Sequence, residues 1–192
     1  LSTAVNTVLE NTAQILDVSV DELKADYRDD AEFMRYEEML DNGIDLSRCG
    51  EKSDYALHYP VELLHVGRFF PQKNHEVLVQ AAAILKKRGC NVRIRCCGDG
   101  PLLESIQKQA LEAGLSGQIV FEGVCGDILD RMTQTDIFLL PSKWEGMPMT
   151  IIEAMGTGLP VVASRVGGVP DIITDGESGL LIPPTAEALA QA

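Results

Sequence analysis

Two stretches of the chain gather side chains that can grip an anion and sugar-like hydroxyl groups. The first is Gly67-Arg68-Phe69-Phe70-Pro71-Gln72-Lys73-Asn74, which places two cations in one short loop. Arg68 offers a planar fork of donors and Lys73 a point charge, a combination suited to a diphosphate. A helical pattern begins at Asn74, and the unpaired amides of a helix start favour phosphate in their own right. The same pair also fits two solvated surface cations, and the spacing alone does not choose. The second stretch is Pro141-Ser142-Lys143-Trp144-Glu145-Gly146-Met147-Pro148-Met149-Thr150-Ile151-Ile152-Glu153. Its carboxylates, Glu145 in a loop and Glu153 on the helical pattern that follows, can accept from hydroxyl groups. The turn over Gly146, Met147, Pro148 and Met149 presents backbone amides to an oxyanion. A solvated Glu153 is the plain alternative. Ile152, Ala154 and Met155 weigh against it, because a carboxylate among apolar side chains needs a partner. Gly98-Asp99-Gly100-Pro101 and Gly167-Gly168 read first as tight turns, and only second as places where backbone meets a ligand.

These loops need strands that end where the loops begin. Short apolar runs at residues 63–66, 92–97, 119–121, 137–140, 159–163 and 179–182 alternate with helical patterns at 74–87, 102–113, 128–132, 150–155 and 168–173. Such alternation predicts βαβ units and a parallel sheet. Right-handed crossovers then give an α/β, doubly wound, Rossmann-like sheet with helices on both faces. Ligands bind such sheets at the carboxyl ends of the strands, where the stretches after Val66, Cys97, Phe121 and Leu140 fall. Residues 2–16 and 21–40 read as two further helices before an Asn42-Gly43 turn, an N-terminal helical appendage. The chain starts at Leu1 and stops within a helical pattern at 186–192, so both ends read as cut from a longer protein.

The 192 residues are 45% hydrophobic and carry a net charge of −13, of which residues 1–60 hold −9 (14 acidic, 5 basic). That balance argues against nucleic acid as a partner, since such binding rests on Lys and Arg neutralising phosphates. No apolar run reaches the roughly 18–20 residues that span a bilayer, and no secretory signal is visible. The five cysteines, Cys49, Cys90, Cys96, Cys97 and Cys125, match no zinc or C-x-x-C spacing. Cys96 and Cys97 read as small core residues, and reduced thiols, more readily than a redox role, fit a cytoplasmic protein.

Taken in order, Asn42-Gly43-Ile44-Asp45, Val66-Gly67-Arg68 with Lys73-Asn74, Gly98-Asp99-Gly100-Pro101, Phe121-x-Gly123, Pro141-Ser142, Glu145…Glu153, Gly158-Leu159-Pro160-Val161-Val162 and Gly167-Gly168-Val169-Pro170 resemble retaining glycosyltransferase family 4, the group 1 glycosyltransferases of GT-B fold. The resemblance is strong over residues 62–192 and weaker over 1–45. It implies that residues 59–192 are a nucleotide-sugar-binding domain, truncated at its C-terminus, and that 1–58 are a linker plus the tail of a missing amino-terminal acceptor domain. It implies transfer of a sugar from a nucleoside-diphosphate donor to a glycan, lipid-linked or small-molecule acceptor with retention of configuration. Arg68 and Lys73 would then hold the diphosphate, Glu153 the ribose, and Glu145 the transferred sugar. Backbone at Gly67, Gly98, Gly146, Met147, Pro148 and Met149 would line the donor, and Gly123-Val124 would meet the base. Met147-Pro148 replaces the aromatic residue and Gly of many members and leans toward surface polysaccharide assembly. The full-length enzyme would work in the cytoplasm or at the inner membrane face, and the fragment alone would bind donor without transferring it. No Asp-x-Asp occurs in the chain, so no metal and no cofactor are expected. A dehydrogenase would need Gly-x-Gly-x-x-Gly after the first strand, which is missing. A non-hydrolysing sugar-nucleotide epimerase and a non-catalytic nucleotide-sugar-binding module remain as alternatives.

Overall fold

The computed structural model describes residues 49–56 and 58–192. The helices expected at 2–16 and 21–40 and the turn at 42–43 lie outside these residues. Six strands, β1 (Val61–Val66), β2 (Val92–Cys97), β3 (Ile119–Gly123), β4 (Ile137–Leu140), β5 (Val161–Ser164) and β6 (Leu180–Ile182), form one sheet in the order β3-β2-β1-β4-β5-β6. Every neighbouring pair is parallel. Between them run α1 (His75–Lys87), α2 (Leu103–Glu112), α3 (Ile128–Thr133), α4 (Met149–Gly156) and α5 (Val169–Ile172), with α6 (Ala186–Gln191) after β6. The strands and helices expected from residue 63 onward are all present, shifted by at most a few residues at their ends. The first strand, for example, starts at Val61 directly after Pro60.

Alternate residues of each central strand enter opposite layers, which is why apolar residues stand side by side in them, as at Leu63-Leu64 and Leu139-Leu140. Leu63, Cys96, Leu139 and Val162 pack with Val77, Leu78 and Ala81 of α1, Ile106 of α2 and Leu189 of α6. Leu64, Cys97, Leu140 and Ala163 pack with Met132 of α3, Ile151 and Ala154 of α4 and Val169 of α5. The sheet is thus covered on both faces, as a doubly wound fold requires. β1 and β4 are the inner strands at which the strand order reverses, and they are joined by two register pairs, Leu63↔Ile137 and Leu64↔Phe138. This reversal opens a crevice at their carboxyl ends.

The segment before β1 is held against the end of α4. Lys52 N–H donates to Thr157 O at 2.9 Å, and Tyr55 Oη donates to Gly158 O at 3.1 Å. Among the described residues no helix is long and apolar enough to cross a membrane.

Candidate functional site

The loops after β1, β2, β3, β4 and β5 are joined by backbone hydrogen bonds along the carboxyl edge of the sheet. Gly98 N–H donates to Gly123 O, Phe69 N–H to Asp99 O, Lys143 N–H to Gln72 O, and Gly168 N–H to Glu145 O, at 2.7 to 3.2 Å. Glycine is what permits this closeness. A Cβ at Gly98, whose φ is +145°, would stand 2.0 Å from the Gly67 carbonyl oxygen, and one at Gly167, φ +49°, 1.7 Å from that of Glu145. The turn reading of these glycines holds, and its physical content is loop against loop.

At the centre of this edge lies Glu145, 3% exposed. Its carboxylate accepts from the Ser142 hydroxyl at 2.6 Å, from Lys73 Nζ at 2.8 Å, and from Gln72 Nε2 at 3.3 Å. Gln72 Nε2 also donates to the Trp144 carbonyl at 3.1 Å. Lys73 is only 18% exposed, so this is a largely desolvated pair. The backbone explains its placement. Pro71–Lys73 make one turn of 3-10 helix, and Asn74 takes a left-handed conformation (φ 56°, ψ 41°) before α1 begins. The Asn74 side chain donates to Pro141 O at 3.0 Å, fixing the β1 loop to the end of β4. A cation from one half of the sheet and a carboxylate from the other therefore meet across the crevice.

The other sequence-derived candidates share this edge. Arg68 is exposed, with its guanidinium 4.7 Å from the Phe70 ring centre. α4 starts at Met149 after Pro148, with no side chain capping it, directly beyond the loop that carries Glu145, Gly146 and the exposed Met147. Glu153 is half-buried on α4. Gly123 ends β3 at the same edge, and Val124 beside it is 81% exposed.

The sequence reading gave no role to Gln72 or Ser142, which position Glu145. Ser142 stands three residues before Glu145 within the quoted Pro141-Ser142 motif, and that proximity was the available signal. It also passed over two buried histidines beneath the β1 loop. His65 on β1 bonds the Leu139 carbonyl through Nδ1 at 2.9 Å, and His75 lies edge-on to it, 4.7 Å between ring centres. The His75 ring stacks on Phe69 at 3.8 Å. Burial lowers His65 from 6.5 to about 4 and His75 to about 2, with the His65 and Lys73 charges adding to the shift at His75.

Both histidines thus have folded-state values below their unfolded ones. The unfolded chain takes up protons that the native state refuses once pH falls below 6.5. Stability is full above that pH and is lost progressively toward pH 4, on the order of 3 kcal/mol for His65 alone. In urea titrations between pH 7 and 5 the unfolding midpoint is expected to fall. His75→Phe, which keeps the ring stack and cannot protonate, is expected to halve that slope. An unchanged slope would locate the acid sensitivity elsewhere.

Residues 56–192 match the family of glycosyl transferases group 1. The chain is 34% identical over 157 residues to the amylovoran biosynthesis glycosyltransferase AmsK of Erwinia amylovora, a match covering 77% of this chain and 39% of AmsK. Among solved structures it is similar to Anabaena Alr3699/HepE, crystallised in complex with UDP and glucose, with a TM-score of 0.63 and 28% identity over 68% of this chain and 37% of that one. The C-terminal domain of LpcC from Francisella tularensis shares its fold, with a TM-score of 0.68 and 23% identity over 78% of this chain and 85% of that one. The chain spans little more than a third of the length of the curated relatives, 35 to 39% in the first of them.

Proposed function

Because this chain belongs to the group 1 family of glycosyl transferases, we propose that it forms the donor-binding part of an enzyme that moves a sugar from a nucleoside-diphosphate donor with retention of configuration. The observation that carries this reading is the Lys73–Glu145 pair, held desolvated across the crevice between β1 and β4. Such a pair keeps an ammonium group poised where a diphosphate can share it, and a carboxylate where a sugar hydroxyl can reach it. HepE was crystallised with UDP and glucose, which supports a uridine-type donor. AmsK serves amylovoran biosynthesis, which supports a polysaccharide or glycoconjugate product.

In this reading Arg68 and Lys73 stabilise charge on the departing diphosphate, the step at which fixed cations contribute most. The acceptor oxygen attacks the anomeric carbon on the face the diphosphate leaves, and a phosphate oxygen takes the acceptor's proton. Glu145 holds the transferred sugar, and Glu153 the ribose hydroxyls. The backbone of Gly67, Gly98 and Gly146–Met149 lines the phosphates and sugar, and Gly123-Val124 borders the base. Two cations without an Asp-x-Asp favour chemistry without a metal. The chain is expected to bind UDP in calorimetry with an affinity unaltered by EDTA. Glu153→Gln is expected to weaken UDP, GDP and ADP alike by about tenfold wherever they bind, one charge-assisted hydrogen bond. Binding that EDTA abolishes and Mg²⁺ restores would overturn the metal-free reading, and a loss confined to one base would move Glu153 to the base.

A further inference from the structure

Cys97 closes β2 and Cys125 lies in the loop after β3, 28 positions later, yet their sulfurs stand 2.9 Å apart. Both are free thiols. Cys97 pairs in register with Gly123, so Cys125 sits just past the last paired position and folds back over the strand end. Each sulfur also lies near Glu122 Oε2, at 3.8 Å and 3.9 Å. Two sulfurs and a carboxylate this close have the make-up of a site for a soft metal ion. The surrounding charge opposes a cation there. Glu122 already pairs with Arg95 and Arg131, so a metal would have to displace a guanidinium and then sit beside two positive charges. Joining the sulfurs to each other brings in no charge and leaves that network intact.

We propose that Cys97 and Cys125 are an oxidation site, a dithiol pair that a small-molecule disulfide converts reversibly to a disulfide locking the loop after β3 onto the end of β2. Cys125 is half-buried and meets the oxidant first, while Cys97 is buried and resolves the intermediate. Burial also pushes the Cys97 thiol well up, which keeps it protonated and unreactive toward the reagent and leaves the first attack to Cys125. In the first step the Cys125 thiolate attacks one sulfur of the reagent. A mixed disulfide forms, and one small thiol departs with the proton that Cys125 gave up. In the second step the Cys97 sulfur attacks that of Cys125. The protein disulfide forms, the mixed disulfide breaks, and the second small thiol leaves with the proton of Cys97. Two protein thiols are oxidised, and one small disulfide is reduced to two thiols. The sulfurs must close from 2.9 Å to about 2.05 Å, a displacement that the exposed loop of Val124, Gly126 and Asp127 can absorb.

The test treats the full 192-residue chain with oxidised glutathione at pH 8, quenches with acid, and reads intact mass and peptide maps. A species lighter by two hydrogens is expected, in which the Cys97 and Cys125 peptides are joined and which dithiothreitol reverts. Cys97→Ser is expected to lose the cross-link and to gain one glutathione on Cys125, whereas Cys96→Ser cross-links like the wild type. In the oxidised form, amide exchange over residues 124–127 is expected to slow at least tenfold. A lasting glutathione adduct on wild-type Cys125, a bridge through Cys49, Cys90 or Cys96, or thiols that do not react would each overturn the proposal. Stoichiometric zinc binding that needs both thiols and blocks the cross-link would overturn it in favour of a metal site. None of these readouts depends on sugar-nucleotide binding.

Discussion

Lys73→Ala is expected to lower the unfolding free energy by about 3–5 kcal/mol, the usual result of removing one partner from a buried ion pair. The cause lies in what remains. Glu145 would keep its hydrogen bonds from Ser142 and Gln72 but would stay a desolvated charge without a counter-ion. Urea denaturation measures the effect directly, as a midpoint shift of about 2 M at the slopes typical of small domains. The double variant Lys73→Ala/Glu145→Gln isolates the cause. A neutral amide still accepts from Ser142 and needs no cation, so more than half of the lost stability is expected to return. Should Lys73→Ala unfold within about 1 kcal/mol of wild type, as an exposed pair would, the crevice pair is not a structural fastener. Comparing UDP affinities of the same proteins separates that structural part from the proposed contact with the diphosphate.

Gly167→Ala is expected to be about as damaging, roughly 3–5 kcal/mol, through a different cause. The new methyl group would lie 1.7 Å from the Glu145 carbonyl oxygen, and backbone cannot swing aside as a side-chain tip does. Left-handed backbone strain adds about 1–3 kcal/mol, and forced overpacking a similar amount. The loop after β5 would have to withdraw, breaking the Gly168–Glu145 hydrogen bond. Gly176→Ala supplies the control. Its φ of +78° is equally unsuited to alanine, but nothing lies within 4 Å of the added carbon, so a loss of about 1 kcal/mol is expected. Near-equal losses in the two variants would show that conformation, and not the close approach, governs residue 167.

Short apolar runs bounded by Gly and Pro were enough to read the sheet, because a strand buried on both faces is mostly apolar at successive positions. Leu63 and Leu64 enter opposite cores, and both are apolar for that reason. Pro160 and the cap at Asn74 blur the ends by a residue or two, since hydrogen-bond geometry and not hydropathy sets them. The site was legible where charge stands out against apolar sequence, as at Glu145 and Lys73. Their union was not, because each was assigned to a different part of a ligand and the 72 positions that separate them carry no local signal of contact. Gln72 and Ser142 look like ordinary loop residues in one dimension. His65 was hidden by its own apolar run, and the contact between Cys97 and Cys125 depends on a strand register that no local spacing encodes.

Under the proposed donor-binding role, the fastening of Lys73 to Glu145 would constrain how proteins built on this chain diverge. A mutation at either residue would then disturb fold and site together, leaving a lineage little freedom there to take a new donor. Val124, at the rim and 81% exposed, carries no such burden. Under the same proposal, variation there would alter what a ligand meets while the ion pair beneath stays fastened. Divergence of specificity in such a molecule should therefore run through its rim, with the ion pair inherited unchanged.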